Sequence, residues 1–178
     1  MKLFRYILAS FAIILGLVHC DKRQENSEMV VKLSADDPAF LAVNLDIRTV
    51  KIHFENDAIG DHGWMVLNTK SGIYEMDGLT KTDKVIADQT GIQPGKIDAI
   101  QIEMGNKNTV VMEAGTFDLV LGSAESEVNI KPSTLLDANA GTVARLTLDV
   151  RNSLFKMDNG TWLLRPQMTL TSIASFSH

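Results

Sequence analysis

Residues 43–54 read VNLDIRTVKIHF and contain the pattern that decides the fold. Apolar side chains occupy alternate positions, first Val43, Leu45 and Ile47 and then, one residue out of phase, Val50, Ile52 and Phe54. Alternation with a period of two predicts a β-strand with one buried face. A slip of one residue would turn the second set to solvent, whereas a β-bulge, which adds one residue to a strand, would return it to the core. We therefore predict one long strand with a bulge at Arg48-Thr49.

The same alternation recurs along most of the chain. It is present at Met29, Val31 and Leu33, at Ile100, Ile102 and Met104, at Val110 and Met112, at Val128 and Ile130, and at Ala144, Leu146, Leu148 and Val150. Turn signals separate these runs, and they predict a hairpin at residues 105–108 and a second tight turn at residues 113–115. Many short strands at this spacing favour an all-β fold, a Greek-key β-sandwich of the immunoglobulin or prealbumin type. Helix is expected only as short turns, at residues 82–88 and 152–156.

The N-terminus has the order of an export signal. Lys2 and Arg5 precede an apolar run of twelve residues, 7–18, and a membrane-spanning helix needs about 20. The chain is therefore expected to begin with a signal peptide at residues 1–19. Leu17-Val18-His19-Cys20 resembles the bacterial lipobox, with His19 in place of the usual small residue, and this predicts lipid attachment at Cys20. The alternative is simple cleavage between Val18 and Asp21, which would release a soluble protein.

These observations divide the chain into three parts. The signal peptide at 1–19 is followed by an expected flexible tether at 20–28, in which residues 21–28 are wholly polar, and a single β-sandwich domain is expected at 29–178. Loss of Lys2 and Arg5 with the signal changes the formal charge from −5 to −7. An acidic domain is not expected to bind nucleic acid, and its attachment to the membrane would depend on the lipid. Because Cys20 is the only cysteine, no disulfide framework is available to the domain.

The residues that could perform catalysis are few and scattered. Nucleophilic catalysis needs an activated nucleophile beside a base, but His53 is predicted to face solvent on a strand and His62 to lie in a loop. The sequence LGSAE at 121–125 lacks the second glycine of a nucleophile elbow. We therefore expect no enzyme activity, no catalytic residues and no cofactor.

The sequence also contains candidates for three other kinds of site. The loop at 55–62 contains oxygen ligands suited to calcium, and Asp36, Asp37 and Asp46 form a weaker acidic cluster, but solvated loop residues and strand caps explain both, and we expect no metal site. Trp64 and Trp162 could form a sugar-stacking platform, although core packing is the usual role of tryptophan in a small β-domain. The sequence NGT at 159–161 fits a turn better than a glycosylation site.

Several short motifs occur in a fixed order. They are DDPA at 36–39 with AVNLDI at 42–47, GWMVLN at 63–68, QPGKI at 93–97 with IQI at 100–102, NKNTVV at 106–111, LDV at 148–150 with SL at 153–154, and NGTWLLRP at 159–166. Their combination resembles domain-of-unknown-function family 4382, found in secreted bacterial lipoproteins, over about residues 31–171. The chain departs from the family pattern at 150–152, where a second Asp is common, and matches it loosely at 123–131. The resemblance implies an extracytoplasmic β-sandwich domain and transfers no activity.

The expected function follows from location and fold together. We expect a lipoprotein exported to the cell envelope, on the periplasmic or outer-membrane side, with a non-catalytic binding or scaffolding domain. Its expected partners are the membrane, through the lipid, and an envelope protein or a glycan. The alternatives are a carbohydrate-, peptide- or calcium-binding envelope protein and a secreted hydrolase. Strand edges left open would favour pairing with a partner strand.

Overall fold

The computed structural model describes residues 26–36, 40–56, 60–77, 80 and 82–177. The expected signal peptide and Cys20 lie outside this part of the chain. The structure is 67% strand and 4% helix, which confirms the all-β prediction. Its strands in chain order are β1 (Ser27–Ala35), β2 (Ala42–Phe54), β3 (Trp64–Val66), β4 (Gly72–Met76), β5 (Lys84–Ile92), β6 (Gly95–Met104), β7 (Asn108–Met112), β8 (Gly115–Leu121), β9 (Glu127–Ile130), β10 (Thr134–Leu136), β11 (Ala140–Leu148), β12 (Leu154–Lys156), β13 (Trp162–Leu164) and β14 (Met168–Ser177).

Helical structure among the described residues is limited to two short turns. A 3-10 turn covers Ser123–Glu125, and the helical turn α1 covers Val150–Ser153. The backbone N–H of Asn152 donates to the Asp149 carboxylate at 3.0 Å, which caps the first turn of α1. The helical turn expected at 152–156 therefore begins two residues earlier, and residues from Leu154 form β12. The helical turn expected at 82–88 is wrong, because Lys84 begins β5, which buries Ile86 and Ala87 beside β1.

Two mixed sheets pack against each other in a sandwich-like arrangement. The smaller sheet has the order β14-β11-β1-β5, and β1 and β11 are parallel. The larger sheet is organised around β2, which pairs with β3 and β4 on one side and with β6 and β7 on the other. The Greek-key connectivity stays a prediction. β1 begins two residues before the domain boundary expected at Met29.

The bulge predicted in the central strand is confirmed. Ile47 pairs with Met104 and Thr49 pairs with Glu103, so β2 advances two residues while β6 advances one. This extra residue restores the phase of the apolar side chains. The two sets share the core and each of their members is at most 1% exposed: Val43, Leu45, Ile47, Val50, Ile52 and Phe54.

The hairpin predicted at 105–108 is wrong. β6 and β7 pair with the same side of β2, end to end, and both are antiparallel to it. Residues 105–107 interrupt this combined strand without reversing it. The Asn108 side chain replaces a backbone partner, because its Oδ1 accepts a bond from the Asp46 N–H at 2.8 Å and its Nδ2 donates to the Gly105 carbonyl at 2.7 Å. The second turn, between β7 and β8, is confirmed by the pairing of Met112 with Gly115.

Gly105 is required where the strand is interrupted. A Cβ at this position would collide with the Asp46 carboxylate and the Arg48 side chain, both of which are held in an ion pair at 2.8 Å. We expect Gly105→Ala to destabilise the protein by about 1–3 kcal/mol, as overpacking does. Urea unfolding measures this change. Gly72→Ala is the matched control because its added Cβ would meet no atom within 4 Å, and an equal cost in both variants would contradict the steric explanation.

Candidate functional site

The predicted lipid attachment residue, Cys20, lies outside the described residues, as does the apolar run at 7–18. None of the helical turns among the described residues has the length and apolarity that a membrane crossing needs.

His53 and Asp98 form a pair on the outer face of the larger sheet. The Nδ1 atom of His53 lies 2.6 Å from Oδ1 of Asp98, and the imidazole packs against Trp64 with ring centroids 4.8 Å apart. A Cβ added at Gly63 would lie 2.6 Å from Nε2, so the second ring nitrogen faces the backbone. His53 is thus only 21% exposed and not the solvent-facing residue that we expected. A histidine and a carboxylate do not suffice for nucleophilic catalysis, which also needs an activated nucleophile.

The carboxylates considered as calcium ligands are either paired within the fold or exposed to solvent where the structure describes them. In the 55–62 loop, Glu55 pairs with Lys96 at 3.0 Å, while Asp61 and His62 are 94% exposed; residues 57–59 lie outside the described part. Asp36 accepts a bond from the Val150 N–H. Among the residues that the structure describes, no group of three or more His, Cys, Asp or Glu could hold a metal ion.

Asp46 was considered as a strand cap, and the structure places it in the interior of β2. The residue is 2% exposed, and its Oδ2 accepts bonds from the Arg48 guanidinium at 2.8 Å and the Lys107 N–H at 3.2 Å. Asp37 of the same predicted cluster lies outside the described residues. Asp46 therefore fixes the segment between β6 and β7 and does not form an acidic cluster with Asp36.

The two tryptophans lie apart in sequence and both are partly buried. Trp162 packs against the core and meets Phe40 edge to face at 6.3 Å, and the ammonium of Lys156 lies 5.8 Å from its ring centroid. Trp64 packs on His53.

The 159–161 segment forms the turn that we expected, because Gly160 has φ of 87° and the Asn159 side chain accepts a bond from the Thr161 N–H.

Two ion pairs perturb the pKa values of surface residues. The Lys51 ammonium donates a hydrogen bond to Glu103 across β2 and β6 and lowers the pKa of that carboxyl group. A hydrogen bond to Asp88 raises the pKa of the Lys70 ammonium, which lies 2.8 Å from that carboxylate. The first pair joins β2 to β6, and the second joins the segment before β4 to β5. Perturbed pKa values can mark functional sites, but structural ion pairs produce them as well.

The outer edge of β14 is an open strand edge in the described structure. β14 has ten residues, pairs on one side with β11, and is the last strand of its sheet. Its first residues lie beside β9, and a bulge occurs where Thr171 is inserted opposite β11 between Leu170 and Ser172. From Ser172 to Ser175 no other described strand pairs with the outer edge. The sequence MTLTSIASFS contains no charged residue and no proline.

The opposite edge of this sheet is covered. Along β5, Lys70 N–H donates to the Ile86 carbonyl at 3.0 Å and Asp88 N–H donates to the Asn68 carbonyl at 3.1 Å. The strands at the margins of the larger sheet are short, with three residues each in β3, β10 and β12, four in β9 and five in β4. Natural proteins protect sheet edges with charges, proline or coverage by other segments. β14 lacks both the charges and the proline.

β14 was missed by the sequence analysis. Its apolar residues Met168, Leu170 and Ile173 change phase at the bulge, as those of β2 do at Arg48-Thr49. The argument from a phase slip that predicted β2 would also have predicted β14. Whether an edge is open depends on the order of the strands, which short-range patterns do not determine.

A groove of about 640 Å³ lies on the outer face of the larger sheet, beside the interruption between β6 and β7. Asn44, Thr109 and Asp118 stand in one cross-strand row on β2, β7 and β8. Ile73 and Val120, which are 58% and 50% exposed, provide apolar surface in the groove. Asn106 and Lys107 complete the lining from the interruption.

These features define an all-β, sandwich-like domain with an open strand edge and a surface groove. The chain belongs to the family described as Domain of unknown function (DUF4382), whose model matches residues 26–166. A comparison with curated proteins finds no match, and a comparison with solved structures finds none either.

Proposed function

We propose that this protein is a cell-envelope lipoprotein, anchored through Cys20 on the periplasmic or outer-membrane side, whose domain acts as a non-catalytic binding or scaffolding module. The sequence at residues 1–20 supports the anchored location, and the observation that carries the binding role is the open edge of β14. An exposed edge presents unpaired backbone N–H and C=O groups, which pair readily with another strand. The proposed occupant is β14 of a second copy of this chain.

The absence of charge in β14 supports self-pairing. Two copies related by a two-fold axis would pair the strand with itself, so each side chain would stand opposite or diagonal to a residue of the same uncharged set. Like charges directly opposite one another destabilise strand pairs. The chain carries a formal charge of −5, or −7 without residues 1–19, and pairing through the uncharged β14 adds no direct like-charge contact between two acidic copies.

The expected anchor also supports self-pairing. Copies held in one membrane have a higher effective concentration than free copies, which favours weak contacts between them. The partly buried side chains of Met168, Leu170 and Ile173 lie at the margin of the sheet. A second β14 would cover more of this apolar surface.

A cysteine placed on the edge tests the proposal. Ala174 is exposed on β14, and lipidated Cys20 would have no free thiol, so Ala174→Cys would provide the one reactive thiol of the anchored protein. We expect a disulfide-linked dimer on non-reducing gels of membranes, and we expect the added charge of Ser172→Lys to suppress it. Thr116→Cys, on exposed β8, is the matched control and should remain monomeric.

The other outcomes decide against the proposal. Equal amounts of disulfide-linked dimer from Ala174→Cys and Thr116→Cys would show that the copies meet by random collision in the membrane. Linkage of Ala174→Cys to a different protein would retain β14 as the interaction edge but would contradict the second copy as its occupant. Absence of any disulfide linkage would contradict both β14 as the interaction edge and the second copy as its occupant.

A further inference from the structure

We infer that the groove beside the interruption of β6 and β7, which does not involve β14, binds a neutral glycan through Asn44 and Thr109. This site is independent of the proposed self-association, because it lies on the outer face of the other sheet. Its volume of about 640 Å³ falls within the range of about 300–1,000 Å³ typical of small-ligand sites. The inference rests on the chemistry of the lining and on the rigidity of the segment beside it.

The floor of the groove offers both donors and acceptors. Asn44 Nδ2 donates to Thr109 Oγ1 at 2.9 Å. This bond uses one amide hydrogen and one hydroxyl lone pair, so the amide oxygen and the hydroxyl hydrogen keep their capacity to bond a ligand. A sugar hydroxyl, which both donates and accepts, is complementary to such a pair.

The walls of the groove are apolar and shallow. Ile73 and Val120 contribute aliphatic surface that is half exposed or more, and a pyranose ring presents C–H groups that pack on such surface. The charged residues Lys107 and Asp118 have opposite signs, so the groove favours neither an anion nor a cation. A ligand with hydroxyl groups and C–H faces and no net charge matches both the polar pair of Asn44 and Thr109 and the apolar surface of Ile73 and Val120.

Buried hydrogen bonds hold the segment beside the groove in place. Asn108 is 1% exposed and bonds both the Asp46 N–H and the Gly105 carbonyl, while the Lys107 N–H donates to the Asp46 carboxylate. Asn106 and Lys107 therefore project from a fixed segment. A preformed site loses less entropy on binding than one that must first be ordered.

Titration of the full chain, extracted from membranes in detergent, tests this inference. The probes are cellohexaose, mannohexaose, xylohexaose and chitohexaose. Their binding is measured by calorimetry or by ligand-observed NMR. We expect at least one of them to bind, and we expect Asn44→Ala and Thr109→Val each to weaken that binding about tenfold. Gln101→Ala is the matched control, since Gln101 is a partly buried amide on the outer face of β6 and does not line the groove.

Three results would overturn the inference. They are the absence of binding by all four sugars at millimolar concentration, wild-type affinity in both Asn44→Ala and Thr109→Val, and an equal loss in Gln101→Ala. Circular dichroism of each variant checks that the fold is intact. The cross-linking of Ala174→Cys described above is a separate measurement, so failure of the glycan site leaves the result for β14 unaffected.

Discussion

Ile52→Ala is expected to lower the free energy of unfolding by about 2–5 kcal/mol, as large-to-small changes in a close-packed core do. Ile52 is fully buried and lies near the C-terminal end of β2, between β6 and β3, where it pairs with Ile100 and Met65. Removal of its side chain leaves a cavity between strands that are fixed on both sides. Because the total stability of a domain is about 5–15 kcal/mol, this single change would remove a large share of it.

Variants on the two sides of the bulge make the experiment specific. Ile47→Ala, before the bulge, should cost about as much as Ile52→Ala, because both side chains are fully buried. Thr49→Ala is the control, since Thr49 lies at the bulge and is partly exposed. Urea unfolding followed by circular dichroism gives the three values. A cost at Thr49 equal to that at Ile52 would be inconsistent with a bulge that serves only to restore the phase of the core residues.

The part of the fold that the sequence could predict is the part determined by local alternation. The residues of β2 reveal the strand, its buried face and its bulge, because a period of two and a single phase slip are properties of adjacent residues. The all-β class was predictable for the same reason, whereas the family was predicted from the order of several short motifs along the chain. The helical turn predicted at 82–88 was wrong because these few residues have no clear hydrophobic period. The strand that begins at Lys84 is determined instead by its pairing with β1.

The errors arose where distant residues decide the structure. Residues 105–107 have the composition of a hairpin turn, yet the chain continues along β2 because Asp46 and Asn108 bond across the gap. Those two residues are separated by 62 positions, and no local pattern relates them. The groove and the open edge of β14 depend on the same long-range order of strands, which is why the sequence did not indicate either.

Cys20→Ala is expected to abolish incorporation of labelled palmitate and to release the protein from the membrane. Each buried CH₂ of an acyl chain contributes about 0.8 kcal/mol to membrane binding, and the two or three chains of a bacterial lipoprotein anchor bind far more firmly than one. The acidic domain would be repelled by an anionic lipid surface. Loss of the acyl chains therefore removes the expected source of membrane affinity.

The precursor needs a separate control in this experiment. A Cys20→Ala chain that escapes cleavage keeps the apolar run at 7–18 and can remain bound by it, so the N-terminal mass of the protein in each fraction must be measured. A chain in which residues 1–20 are replaced by an ordinary cleavable signal should be exported and soluble. His19→Ala, which restores a small residue before Cys20, should incorporate palmitate at least as well as the wild type. Membrane retention of a fully cleaved Cys20→Ala protein would contradict the lipid anchor and would direct attention to the domain itself as the membrane-binding element.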